Sequence, residues 1–521
     1  MATENEANQL PPEEWFEHLM GKFDQEIATE PRASSTNTPG TRRERLQLLW
    51  DYYVGNAPLP YINDKYQPTF EQVMRKARVN FATMAVDVMT DRSILLGVTT
   101  DADNDIDGDD IARAIQEESA FASMQRDLQT YLYTMGEAYV TIVPPLEGAD
   151  APPMMIAEDP RRCVGQPDPL NPTRLLAGVK VYTDEMADQE VALLYVDGQQ
   201  IQFLREPGQY STSFNIDEWT QGETLTLAGL ELLGNVPMVK FTNKMGLGEF
   251  EPNVDLLDRI MDGILQRIVI MWYQSFRQRA IKGDLDGGED FSDVDETNSL
   301  IRNVSDDQIS NLFQADPGAL WIVPEGVDFW ESNQADLTPQ LNAIRDDVKE
   351  FAAATRTPMH IITPDAANQT AEGATLMREA LVDKITDRQA RQDPAWKLAY
   401  KIAFALFGQD TRGVGIKLTW GKVDRNSLAM KADAMAKTKG ILSRKRQLIE
   451  IMEMDPTTAA LNEAELIQET MLLDEAGAGG VQPARQATGA STGAATTPST
   501  PAAAPSAAAS TSAPADSSAA V

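Results

Sequence analysis

Cysteine and histidine are nearly missing from this chain: its 521 residues include one Cys, Cys163, and two His, His18 and His360. A lone thiol forms no internal disulfide, so nothing points to an oxidising compartment. Two imidazoles far apart in sequence, with that one thiol, build neither a zinc site nor a Cys/His nucleophile pair. Positive charge is in deficit as well. The formal net charge is −34, which disfavours tight, sequence-independent DNA binding, because such binding draws its affinity from Lys and Arg displacing phosphate counterions. Any DNA this chain meets should be held weakly.

Other signals are missing too. The first residues, "MATENEANQL", are acidic and carry no apolar h-region, so no export is expected. The most apolar run, "ILQRIVIMWY" at 264–273, is broken by Gln266 and Arg267 and falls short of the roughly 18–20 apolar residues of a membrane span. No membrane partner is expected. There is no Walker A sequence, and "GLGEF" at 246–250 has Glu251 where a third glycine would be needed. The stretch "DNDIDGDDIARA" places Asp103, Asp105, Asp107 and Gly108 as a calcium loop would, yet its twelfth position is Ala114 and its eighth Asp110. An acidic turn, with Asp109 or Asp110 capping a helix that starts near Ile111, accounts for it. Asn368-Gln369-Thr370 forms a glycosylation sequon with no export to give it meaning. Carboxylate pairs are so numerous that none stands out as an acid/base site. No catalytic residue, metal ligand or cofactor is expected, and the chain reads as a non-enzyme.

What is present is length, a 42% hydrophobic content sufficient for real cores, and strong periodicity. Trp15, Leu19, Phe23 and Ile27 give a short amphipathic helix, followed by a linker rich in Ser, Thr and Pro. A helix is expected from Thr41 to Val54, closed by Gly55. A second is expected through "NFATMAVDVMTDRSIL" to Gly97, and a third over 110–135, stopped by Gly136. "AYVTIVPP" reads as a strand, and the segments between about 175 and 243 as an antiparallel meander. The first half is therefore α+β.

The second half is built of long helices. Leu257, Ile260, Met261, Ile264, Leu265, Ile268, Met271 and Trp272 form an apolar stripe predicting a helix over 253–281, roughly 45 Å long. Another is predicted from Thr338, as N-cap with Pro339 at N1, stopping before Pro358. A third is predicted from about Thr370 to Phe407, kinked at Pro394. Between the first two, residues 283–336 hold fourteen acidic residues and one basic residue, Arg302. "ALWIVPEGVDFW" inside this insert is strand-like, so part of it is folded and presents an acidic surface. The chain ends in Ala, Ser, Thr, Pro and Gly, a composition unable to bury a core and expected to be disordered. One stretch resists assignment on these terms. "TPDAANQTAEGATL" at 363–376 sets small and polar residues between two helices, and a loop of that length inside a compact body is usually functional.

In order along the chain, "LWDYYVGNAPLPY", "NFATMAVDVMTDR", "YTMGEAYVTIVP", "GNVPMVKFTN", "EFEPNVDLLDRIMDGILQ", "AEGATLMREAL" and "LTWGKVDRNSLAMKADAMAKTKGILSRKRQLIE" resemble the portal proteins of tailed bacteriophages, in particular the group typified by long-tailed siphophages. Each motif is weak alone; their shared order, over roughly residues 41–470, carries the resemblance. It implies a portal fold with an α/β wing, a long-helix stem, a small clip with strands and a helical crown, assembled as a homo-oligomeric ring of twelve. The parts would be an N-terminal arm and linker at 1–40, wing at 41–250, first stem helix at 251–282, acidic clip at 283–336 and second stem helix at 337–357. A tunnel loop at 358–374, a long kinked wing helix at 375–408, the crown at 409–474 and a disordered tail at 475–521 complete it.

The implied function is a channel at one capsid vertex, assembled in the host cytoplasm and retained in the virion. Through it the terminase motor packages double-stranded DNA, without sequence specificity, and the genome is later ejected. Thr363, Asp365, Asn368, Gln369, Thr370 and Glu372 would face that DNA, being polar but not cationic. Asp284, Asp286, Glu289, Asp290, Asp293, Asp295 and Glu296 would dock the terminase large subunit and then a head-completion or adaptor protein. Major capsid and scaffold proteins would be further partners. The alternative is another oligomeric virion component, capsid or scaffold, without a channel.

Overall fold

The computed structural model describes residues 10–27, 39–59, 67–102, 108–145, 151–206, 218–227, 229–230, 233, 236–275, 279–282, 328–331, 336–362, 371–423, 428–454 and 456–478. Helices α1 (Pro12–Phe23), α2 (Arg42–Tyr53), α3 (Gln67–Arg75) and α4 (Phe81–Thr90) lead to strand β1 (Leu95–Thr99), then α5 (Asp110–Glu118) and α6 (Phe121–Met135). Eight strands follow: β2 (Glu137–Val143), β3 (Met154–Glu158), β4 (Cys163–Pro167), β5 (Leu175–Asp184), β6 (Gln189–Val196), β7 (Gln199–Arg205), β8 (Thr220–Thr226) and β9 (Met238–Thr242). The second half holds α7 (Val254–Ser275), β10 (Arg279–Lys282), β11 (Asp328–Glu331), α8 (Thr338–Ala354), α9 (Met359–Ile362) and α10 (Ala371–Leu406). Strand β12 (Lys417–Trp420) and helices α11 (Leu428–Thr438), α12 (Arg444–Glu450) and α13 (Pro456–Ala478) end it. The chain divides into Met1–Ala464 and Glu465–Val521; the described part of the second unit is the C-terminal portion of α13. Among the described residues no helix is long and apolar enough to cross a membrane.

The first unit has two cores. The larger gathers α2, α4, α6, α10 and the antiparallel sheet β3-β2-β9 around Trp396, which is fully buried. Its indole lies 5.2 Å from the Phe121 ring and 5.0 Å from Phe241, the latter edge-on. Such pairs contribute about 0.5–1.5 kcal/mol beyond their buried area. The second core lies under the five-stranded antiparallel meander β4-β5-β6-β7-β8. The apolar face of α1, Trp15, Phe16, Leu19, Met20 and Phe23, covers it, with Phe16 stacked on Phe203 at 4.0 Å. The N-terminal helix is thus part of a core, because a sheet with one apolar face must bury it against something.

Local chemistry explains several boundaries. Thr41 caps α2 in a reciprocal box with Glu44. Asp109 caps α5, its Oδ1 accepting the Ala112 N–H at 2.9 Å, so of the two capping residues expected, Asp109 or Asp110, it is Asp109; Asp103, Asp105 and Asp107 lie outside the described residues. Gly136 stops α6 with φ of 83°, and a Cβ there would sit 2.3 Å from the Gly246 carbonyl oxygen. No other residue fits that contact.

Elsewhere tertiary pairing overrides the periodicity. The helix expected to reach Gly97 ends at Thr90, because residues 95–99 pair with β12 across more than three hundred residues. The same pairing ties residues 417–420 to the first half of the chain, and Ile416, Leu418 and Val423 join the larger core. The helix expected over 110–135 is two helices, broken at Ala120 with φ of 45°. There the buried Ser119 hydroxyl accepts the β3 N–H of Met155 at 2.8 Å, turning the chain. The helix expected over 253–281 ends at Ser275, and residues 279–282 instead pair with 328–331 in an antiparallel ribbon. At 22 residues it is about 33 Å long. Thr338 is the first residue of α8 rather than its cap; its N–H donates to Asp336 Oδ1 at 2.9 Å. Helix α10 runs on through Pro394.

Candidate stem and loop anchor

Helices α7 and α8 form an antiparallel hairpin. Gly263 meets Ile344 so closely that a Cβ would stand 2.9 Å from Ile344 Cγ1. Four residues earlier on α7, Arg259 reaches Asp347 at 2.8 Å and pairs with Glu350. Burial is uneven along α7. Val254, Leu257, Ile260, Met261, Ile264 and Leu265 are buried, Ile268 and Val269 only partly, and Met271 and Trp272 are 52% and 46% exposed. The hairpin is therefore rooted in the larger core and sheds cover toward the β10-β11 ribbon.

At its root lies a buried ionic joint. Glu249, just before α7, accepts from Arg388 Nε at 2.5 Å and from Asn243 Nδ2 at 2.9 Å, and its other oxygen lies 2.9 Å from Lys384 Nζ. Lys384 also donates to the Thr355 carbonyl at 2.8 Å, taking up a C-terminal carbonyl of α8. One ammonium on α10 thus holds both the base of α7 and the end of α8. Burial disfavours the Glu249 carboxylate, but Lys384 and Arg388 outweigh it and lower its pKa below the ordinary value. Arg356, just past Thr355, has φ of 55°, a left-handed conformation costly for a residue with a Cβ. The tightly bonded turn around it, with Thr357 N–H donating to Ala352 O at 2.8 Å, sustains that conformation.

This joint frames the segment that resisted assignment. Thr363, Asp365, Asn368, Gln369 and Thr370 lie outside the described residues; Glu372 stands in the first turn of α10. The chain enters the segment from α9 and leaves it on α10, and α8 and α10 are locked together by Lys384. Asp284, Asp286, Glu289, Asp290, Asp293, Asp295 and Glu296 also lie outside the described residues, between β10 and β11. Sequence reasoning missed Glu249, Lys384 and Arg388. A signal existed: Lys384 sits on the same face as the buried Leu381 and Ile385, and a charge on an apolar stripe implies a buried partner.

Residues 37–471 match the model of a family described as "Phage portal protein, SPP1 Gp6-like". No curated protein matches the chain. Among solved structures, a chain from the neck of a native gene transfer agent particle, computed with C12 symmetry, is 12% identical over 78% of this chain and 98% of its own, with a TM-score of 0.41. A chain from the virion of the native particle is 13% identical over 80% and 95%, with a TM-score of 0.42. At such scores the likeness is loose, and the family match, spanning most of the chain, decides membership. The chain belongs to the SPP1 Gp6-like family of phage portal proteins.

Proposed function

We propose that copies of this chain assemble, as a ring of twelve, into a portal at one capsid vertex. Double-stranded DNA would pass through the central channel, driven inward by a terminase and later released outward. The observation that carries this reading, beside family membership, is the fading cover of α7. A helix rooted in a core and ending with Met271 and Trp272 half-exposed leaves apolar surface that neighbouring copies would bury. The acidic residues between β10 and β11 would meet basic surfaces of the motor and then of an adaptor, with marked salt sensitivity. Residues 363–370, which lie between α9 and α10 in the chain and are free of Lys and Arg, would touch the moving duplex without gripping its phosphates. No catalytic role is assigned to the chain; energy for packaging would come from the motor.

Electron microscopy of the purified full-length protein tests the reading. Isolated rings with a central hole are expected. Shells or sheets would favour a capsid or scaffold role instead, and a well-folded monomer at all concentrations would overturn ring assembly.

A further inference from the structure

A cavity of 430 Å³ opens between the end of α1, the first turn of α2 and strands β2, β4 and β9. Its charged lining is mostly cationic: Lys22, Arg42, Arg45 and Lys240, facing Glu137 and the exposed Glu26. Arg45 is neutralised outside this set by a two-point pairing with Glu251, at 2.7 and 2.6 Å. Glu137 must therefore serve both Arg42, whose Nε donates at 2.8 Å, and Lys240 at 2.6 Å. That leaves one positive charge unmatched; Lys22, whose one side-chain partner among the described residues is the neutral Gln166, adds a second, against which the lining sets only the exposed Glu26, so the cavity keeps a surplus of one. Burial, together with repulsion from Lys240 and Arg42, pushes the Lys22 ammonium below its ordinary pKa. An accumulation of positive charge in a chain of −34 calls for a counter-charge.

Two buried donors on residues that line this cavity have no hydrogen-bond partner among the described residues. The Tyr139 side chain is fully buried, lines the cavity, and its hydroxyl makes no hydrogen bond. Burial and the nearby Glu137 carboxylate raise its pKa, so it stays protonated and able to donate. Arg42 directs Nη2 to Glu137 and to the carbonyls of Pro160 and Cys163, at 3.0 and 3.2 Å for the carbonyls, while Nη1 has no partner. A buried donor left unsatisfied costs about 1–3 kcal/mol, and two beside one cavity are rarely left so. The dipole of α2, with Arg42 and Arg45 in its first turn, adds positive potential at the same place.

We propose that this cavity binds a small oxyanion of the phosphate type, held by Lys22, the Nη1 of Arg42, Lys240 and the Tyr139 hydroxyl. Lys22 belongs to α1, which precedes the family-matched residues 37–471. The anion would thus fasten this additional helix to the wing. The proposal does not depend on ring assembly or on DNA passage.

The test uses full-length protein with inorganic phosphate as the probe, against chloride at equal ionic strength. Expected are a saturable rise in melting temperature with phosphate, and slower hydrogen exchange of the α1 amides. Tyr139→Phe removes only a hydroxyl that has no protein partner. It should therefore fold at least as stably as the parent without phosphate and bind phosphate about tenfold more weakly. Lys22→Gln should weaken binding by a similar factor. No phosphate-specific rise, or an equal rise in parent and both variants, overturns the site.

Discussion

Glu137 on β2 and Glu249 just before α7 are both mostly buried carboxylates held between two cations: Arg42 and Lys240 in one case, Lys384 and Arg388 in the other. They differ in what is left over. Around Glu249 the orphaned atom is an acceptor, Asn243 Oδ1, and the spare hydrogen-bonding capacity of Lys384 goes to the α8 carbonyl. Around Glu137 the orphans are donors, Arg42 Nη1 and the Tyr139 hydroxyl, beside a cavity with surplus positive charge. The first arrangement closes a joint between segments of chain, whereas the second is incomplete without an anion. Similar charges serve a mechanical end in one place and a binding end in the other.

Removing the carboxylate charge at the joint should have the largest effect. Glu249→Gln leaves Lys384 and Arg388 buried side by side, and breaking a buried ionic group from one side costs about 3–5 kcal/mol. Urea unfolding at fixed protein concentration measures it. Glu137→Gln should cost less, about 2 kcal/mol, because Arg42 keeps its bonds to the Pro160 and Cys163 carbonyls. It should also tighten phosphate binding, since one competing anion has been removed. Equal losses at the two positions, with no change in phosphate affinity, would break the comparison.

Little of this contrast was legible in the sequence. Boundaries set by local chemistry were: a helix beginning at Thr41, which turns out to be its cap, and the stop at Gly136. The stripe along α7 and the face of α1 were legible too, since each is a helical repeat readable within a dozen residues. What escaped depends on partners far away in the chain. Residues 95–97 look helical until 417–420 pair with them, and 279–282 look helical until 328–331 do. Glu137 and Glu249 are two acids among 79, and only folding shows which of them lose water and gain two cations. The expected loop and clip residues were chosen by composition and, Glu372 apart, lie outside the described residues.

Acid titration sharpens the same comparison. Burial opposes ionisation of Glu137, yet Arg42 and Lys240 hold its carboxyl down at about 2, against an ordinary value of 4.5; Glu249 is lowered as well. A carboxyl whose folded pKa lies below its unfolded value contributes stability that is present above the unfolded pKa and lost as pH falls toward the folded one. Stability should therefore decline from about pH 4.5 downward, toward pH 2 for the Glu137 part. The Glu137→Gln variant should show a shallower decline over that window, and the Glu249→Gln variant likewise. A slope identical to the parent in both would mean that neither carboxylate carries the acid response.

The smallest effect should come from the reverse arrangement, one cation between two carboxylates, placed in water. Arg259 on α7 bridges Asp347 and Glu350 on α8, but its side chain is 55% exposed and that of Glu350 67%. Water already solvates Arg259 and Glu350, and Asp347 in part, so the pairing mostly replaces hydration, and salt screens what remains. The hairpin is held instead by the close approach of Gly263 to Ile344 and by the buried stripe beneath it. Arg259→Gln should accordingly leave the unfolding midpoint within experimental scatter at physiological salt, with a slight loss detectable only at low salt. If it destabilised the protein as much as Glu137→Gln does, burial would not be what separates these clusters, and the distinction drawn between joint, binding site and surface pair would have to rest on geometry alone.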